Sequence, residues 1–163
     1  MDIKQIKKKD VLGAAFFIAI CEVVGGLGAI FTMPNIGTWY AGLDKPMIAP
    51  PNWIFGPVWT LLFALMGVAA YLVWKKRKID TRAEEALMIF FVQLWLNVAW
   101  SVIFFGQHSL QGAFAEIVIL WLAIAVTILR FKPVSLTAAY LLLPYLLWVA
   151  FAGYLNFLIF TLN

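Results

Sequence analysis

The sequence predicts an all-α membrane protein: a bundle of five transmembrane helices with an ordered first extramembrane loop. Three observations predict it. Hydrophobic residues make up 64% of the chain and charged residues 12%, against about 45–50% and 25% in soluble domains. Five apolar runs are each long enough to cross a bilayer core about 30 Å thick. The charges gather between those runs rather than along them. So few charges cannot cover a soluble surface, and the net charge of +4 is no sign of a nucleic-acid partner when it sits in the loops of a membrane protein. The chain of 163 residues reads as one transmembrane domain, 1–163, whose solvent is the lipid bilayer.

The spans are 11–32, 54–74, 86–105, 113–131 and 134–162. The second, third and fifth carry no charged residue, the first carries Glu22, and the fourth carries Glu116 and Arg130. Barrel strands would be half as long and would alternate. The first run continues past the 7–15 apolar residues of a signal peptide and lacks a clear cleavage site, so it is expected to be retained. Eleven of the twelve Lys and Arg residues fall on one side of this arrangement: four in Lys4–Lys9, then Lys75, Lys76, Arg77, Lys78, Arg82, Arg130 and Lys132, against Lys45 alone. The positive-inside rule puts the N-terminus in the cytoplasm and the C-terminus outside, in a cell membrane.

The connections differ in kind. Residues 75–85 are a short charged loop; 106–112 and 132–133 are tight connectors. Residues 33–53 carry four prolines, Trp39, Tyr40, Met47 and Trp53, and few charges. A flexible linker would be more polar. This segment is expected to form an ordered cap that gates access from outside, stiffened by Pro46, Pro50 and Pro51. No internal repeat appears, which disfavours an inverted-repeat transporter.

At about 1.5 Å per residue, sequence position converts to depth. Trp59 in span two, Trp148 in span five, and Trp100 and Ser101 in span three reach one layer, roughly 21–22 Å above the inner boundary, with Asn97 near 17 Å. Span one brings Gly25, Gly26 and Gly28 to that layer. Gln93, Asn97 and Ser101 form a polar stripe at i, i+4, i+8; interhelical hydrogen bonding explains it as well as ligand contact does. Pro144 is expected to kink the fifth span or free a carbonyl. Glu22 should face the bundle interior, where an ion or proton path is the minor reading. Glu116 should reach water near the outer interface or cap span four. Cys21 and His108 read as structural. Gly25 and Ala29 form a small-xxx-small pair suited to helix packing or to a homodimer. One Cys and one His exclude a disulfide and a His/Cys metal site, so no metal and no resident cofactor are expected. No nucleophile–base set or phosphate-binding loop occurs. What remains is an aromatic cavity with a few hydrogen-bonding groups, suited to a flat hydrophobic small molecule.

Three stretches in order resemble the TspO/translocator protein family, the tryptophan-rich sensory proteins, in a prokaryotic form. They are Trp39-Tyr40 with Leu43, Lys45-Pro46, Pro50-Pro51 and Trp53 through Pro57-Val58-Trp59; then Gln93, Leu94, Leu96, Asn97, Trp100 and Ser101 with Phe104-Phe105-Gly106; and finally Pro144-Tyr145-Leu146 with Trp148, Ala152 and Leu155-Asn156. The resemblance implies a five-helix bundle whose first loop closes a pocket for porphyrins, haem or other tetrapyrroles. Carried over by position, Trp59, Gln93, Asn97, Ser101, Trp148, Ala152 and Leu155 would line it, with Ala29, Phe55, Gly56 and Ala115 as secondary contacts. The reading is a receptor or carrier, for sensing or transport. The alternatives are light- and oxygen-driven porphyrin degradation carried by Trp59 and Trp148, or proton-linked transport through Glu22. The animal proteins' cholesterol pattern needs Lys or Arg soon after a Tyr. Tyr154 is followed by none, so cholesterol transport is not expected.

Overall fold

The computed structural model describes residues 3–163, with side chains from residue 8 onward. Met1, Asp2 and the side chains of Lys4 and Lys7 lie outside the described residues. Helix α1 (Ile3–Ile36) leads to a single 3-10 turn at Tyr40–Gly42. Then come α2 (Asn52–Trp74), α3 (Arg82–Ser101) with a π-helical turn at Val102–Gly106, α4 (Leu110–Phe131), α5 (Leu136–Leu141) and α6 (Leu143–Leu162). No strand occurs among the described residues. Five stretches are long and apolar enough to cross a membrane, α5 and α6 together making the fifth.

The first helix outruns its predicted span at both ends. At its C-terminal end the reason is local capping. Pro34 lies inside the helix, yet Asn35 Nδ2 donates to the Phe31 carbonyl at 2.9 Å and Thr38 Oγ1 to the Pro34 carbonyl at 3.0 Å. Thr38 thereby satisfies a carbonyl that the helix end leaves free. The expected loop of 33–53 shrinks to 37–51, and Trp53 belongs to the first turn of α2. The third crossing likewise runs to Gly106, and Ser109 starts α4 by accepting from Gly112 N at 3.2 Å. The fifth span breaks at Leu142, with Pro144 in the first turn of α6, where its missing N–H has no helical partner to lose.

Helix α1 packs on α2 and α3, α3 on α4, and α4 on α6. The main core, with Met66, Phe90, Leu94, Ile124, Phe131 and Tyr145, fills the lower bundle. At the opposite end, Tyr40, Phe104, Phe105, Ala113, Leu155 and Ile159 form a second cluster. Gly67 is where α1 and α2 approach most closely: a Cβ there would stand 2.5 Å from Ile18 Cα. Gly25 does the same against a side chain, since its Cβ would overlap the Phe63 ring. Gly13, facing the Tyr71 ring, and Gly25 of α1 therefore serve packing on α2 within the chain. The outward face of α1, with Leu12, Phe16, Val23 and Ile30, is exposed, as a lipid-facing surface is.

One end of the bundle is charged. Lys75 pairs with Asp10 at 2.7 Å, Arg130 with Glu85 at 2.8 Å, and Arg82 with Asp80 at 2.8 Å. The Arg82 hydrogen bond holds the Asp80 carboxyl below the usual carboxylate range, although an exposed pair of this kind adds little stability. The other end is closed by the cap.

Candidate ligand cavity

A cavity of about 510 Å³ lies between the main core and the cap, within the range of small-molecule sites. Trp59 from α2 and Trp148 from α6 line it, together with Asn97, Trp100 and Ser101 from α3 and Ala152 and Leu155 from α6. Ala29, Phe55 and Gly56 line it too, as do Gly25, Gly26 and Gly28. The structure thus gathers most of the expected residues around one space.

Each aromatic wall is braced from behind. Trp59 stacks on Phe63 at 5.5 Å between centroids and meets Tyr145 edge-on at 6.1 Å. Trp148 meets Phe55 edge-on at 5.9 Å. Trp100 stacks on Phe104 at 4.9 Å, and its Nε1 donates to Asn156 Oδ1 at 3.1 Å. Asn156 in turn donates to the Leu110 carbonyl at 3.2 Å, tying three helices together. Asn97 Nδ2 donates to the fully buried Tyr145 hydroxyl at 3.1 Å, which leaves its carbonyl oxygen uncommitted among the described residues. The Trp148 indole N–H is buried and has no acceptor among the described residues. Gly28 is required by close approach: a Cβ there would stand 2.9 Å from Ser101 Oγ.

Two expected contacts lie elsewhere. Gln93 is buried but does not line the cavity, and neither its amide nitrogen nor its oxygen has a partner among the described residues. Ala115 is exposed on the outer face of α4; Ile117 and Leu120 form that wall instead. Glu116, expected to meet water or to cap α4, is buried without a partner among the described residues, and Ser109 supplies the cap. Its position in the second turn puts it on the packed side of α4 with Ala113 and Leu120.

The cap is ordered by its aromatic residues. Tyr40 is buried and reaches the cavity; burial raises its hydroxyl pKa. Trp39 packs edge-on against Phe104 at 5.5 Å and stacks on His108 at 4.2 Å, while His108 Nε2 bonds Asn35 Oδ1 at 3.0 Å. His108 adopts φ 55°, and its ring clasps the cap to the α3–α4 turn. A lone histidine gives no sequence signal for that role. Asp44 and Asn163 exchange two hydrogen bonds of 3.0 Å, a second tie. Pro46, Pro50 and Pro51 do not touch the cavity. Replacing His108 by Ala should speed hydrogen exchange at the amides of residues 39–43 and leave the bundle's helicity unchanged; equal exchange rates would show that the stack contributes nothing.

One side of the cavity is open. Gly26 and Met33 of α1 face Trp53, Gly56 and Thr60 of α2, and all five are lining residues that are also exposed. A Cβ at Gly26 or Gly56 would meet nothing within 4 Å. The gap between α1 and α2 therefore opens toward the lipid-facing surface.

The model of the TspO/MBR family matches residues 17–162. The chain is 43% identical over 159 residues to a tryptophan-rich protein TspO of Chlorobaculum tepidum, covering 95% of this chain and 98% of that protein. It is 43% identical over 154 residues to the protein of that name from Archaeoglobus fulgidus, covering 94% and 99%. It is 43% identical over 126 residues to the human translocator protein, covering 77% and 75%. With five membrane-spanning helices around one aromatic cavity, the chain is an integral membrane protein and belongs to the TspO/MBR family.

Proposed function

We propose that the protein is a membrane receptor or carrier for tetrapyrroles, such as porphyrins or haem precursors, or for similarly flat hydrophobic molecules. It would sit in the cell membrane with its N-terminus in the cytoplasm, the basic end of the bundle inside and the cap outside. The observation that carries the reading is the apolar cavity walled by the Trp59 and Trp148 indoles, with the buried Trp148 N–H left without an acceptor among the described residues. A buried donor left unpaired costs about 1–3 kcal/mol, and a ligand acceptor group would relieve that cost. The Trp59 and Trp148 rings offer faces on which a flat ring system stacks. Asn97, with a free carbonyl oxygen, supplies a complementary acceptor.

The test is a titration of the protein in nanodiscs with protoporphyrin IX, read by tryptophan fluorescence. Saturable quenching with a defined midpoint is expected; a linear, unsaturable loss of emission would refute the reading. The adjacency of two indoles at one cavity also favours a second reading, electron transfer from tryptophan to light-excited porphyrin. Loss of the porphyrin absorption under light and oxygen, abolished in a Trp59→Phe, Trp148→Phe double variant, would distinguish chemistry from binding.

The cap is proposed to gate the cavity, because Tyr40 forms part of its wall. Saturating porphyrin should slow hydrogen exchange at residues 39–43, and replacing 35–44 by a Gly/Ser link should speed ligand dissociation. Unchanged exchange on binding would reduce the segment to a connector.

A further inference from the structure

Glu22 is the one charged residue among those lining the cavity. It is half-buried, and the ion pairs and side-chain hydrogen bonds among the described residues include none to it. It stands twelve residues along α1 from Asp10, roughly 18 Å up from the charged end of the bundle, one turn before Gly25, which packs on Phe63. Phe63 in turn stacks beneath Trp59. The carboxyl therefore sits at the cavity floor, at membrane depth. A carboxyl in that setting is costly. Nothing in the packing of α1 requires one, since α1 is held to α2 through Gly25 and Gly67.

The polar groups of the cavity come from several helices, Asn97 and Ser101 from α3 among them. The free donor, Trp148 N–H, belongs to α6, and the carboxyl belongs to α1. At the cap, Lys45 Nζ lies 4.8 Å above the ring of Tyr40, itself a lining residue, and bonds the carbonyls of Ala41 and Leu43 at 3.3 and 3.1 Å. A carboxyl lies at the floor and a lysine near the roof.

We propose that Glu22 sets the polarity of the bound ligand: it receives a basic nitrogen or N–H donor at the floor and repels ligands that place a carboxylate there. The class favoured is a flat aromatic molecule bearing an amine or a protonated nitrogen heterocycle. This inference rests on the cavity being a ligand site. For a tetrapyrrole it means that the carboxylate edge points toward the cap and Lys45, with the ring nitrogens nearer Glu22.

Three matched probes test it: 1-pyrenemethylammonium, 1-pyrenemethanol and 1-pyrenecarboxylate. Each is titrated into protein in phosphatidylcholine nanodiscs and read by energy transfer from tryptophan to pyrene. The wild-type protein should bind the ammonium about tenfold more tightly than the alcohol, the scale of one charge-assisted hydrogen bond. Glu22→Gln, which keeps the volume, should erase that ratio and tighten carboxylate binding. Glu22→Asp should retain the preference in reduced form, and it also serves if the Gln variant is unstable. Trp148→Ala should weaken all three probes while leaving their ratios in place. If the ratios are equal in wild type and Glu22→Gln while binding still depends on Trp148, the role of Glu22 is overturned and the cavity reading survives. If no probe depends on Trp148, both fall.

Discussion

Trp148→Ala should weaken protoporphyrin binding by about 10- to 100-fold. The estimate combines one lost aromatic stack, about 0.5–1.5 kcal/mol, with one lost hydrogen bond of about 1 kcal/mol, each 1.4 kcal/mol being tenfold. The loss should appear as a shifted midpoint in the quenching titration. The chain supplies its own control in Trp95, which is 58% exposed on the outside of α3 and absent from the cavity wall. Trp95→Phe should lower total fluorescence and leave the midpoint unmoved. If Trp148→Ala binds as tightly as wild type, or if Trp95→Phe weakens binding equally, the ligand is not held where these walls converge.

The largest effect on the bundle itself is expected at Gly67. Adding one methyl group there puts Cβ 2.5 Å from Ile18 Cα, 2.6 Å from Ile18 N and 2.9 Å from the Phe17 carbonyl carbon. These are backbone atoms, which cannot rotate away, so α1 must shift as a whole. Overpacking of this kind costs about 1–3 kcal/mol. Gly67→Ala should lower the thermal midpoint in detergent by several degrees and weaken porphyrin binding too, because α1 forms one wall of the cavity. Gly26→Ala is the matched control: its new Cβ would meet nothing within 4 Å, and the midpoint should stay within error. A Gly67→Ala protein as stable as wild type would mean that α1 and α2 do not approach as closely as this contact requires.

The five spans were legible because length and apolarity are enough to define a crossing. An irregularity near Pro144 was legible because proline removes a helical donor, although the helix breaks at Leu142, ahead of it. Depth arithmetic brought Trp59, Trp148, Asn97 and Ser101 into one layer, and the structure places all four around one cavity. Gln93, named from the polar stripe and the family resemblance, does not line that cavity, and the geometry of the helix explains why. Residues four apart advance about 40° around an α-helix. Gln93 therefore faces about 80° away from Ser101, and it lies two turns lower. A stripe at four-residue spacing winds off the face on which it starts. Ala115 does not line the cavity either: a position taken from a family motif carries no helical phase, and Ile117, two residues on, points the other way. The length of α1 was hidden because its last turn lies beyond the apolar window, where Thr38 caps the Pro34 carbonyl. His108 could not be found at all, since its stack with Trp39 joins two loops that only the folded chain brings together.

The opening between α1 and α2 changes what an affinity for this protein means. A ligand that arrives through it is drawn from the hydrocarbon, so the concentration that matters is its mole fraction in the lipid. Each added methylene favours the bilayer by about 0.8 kcal/mol, which raises that local concentration about fourfold without touching the protein. Within a series of ligands, greasier members will therefore look tighter in water-referenced titrations even when every contact with Trp59 and Trp148 is the same. Apparent dissociation constants should rise in proportion to the lipid added at fixed protein, and a constant expressed per lipid should not move.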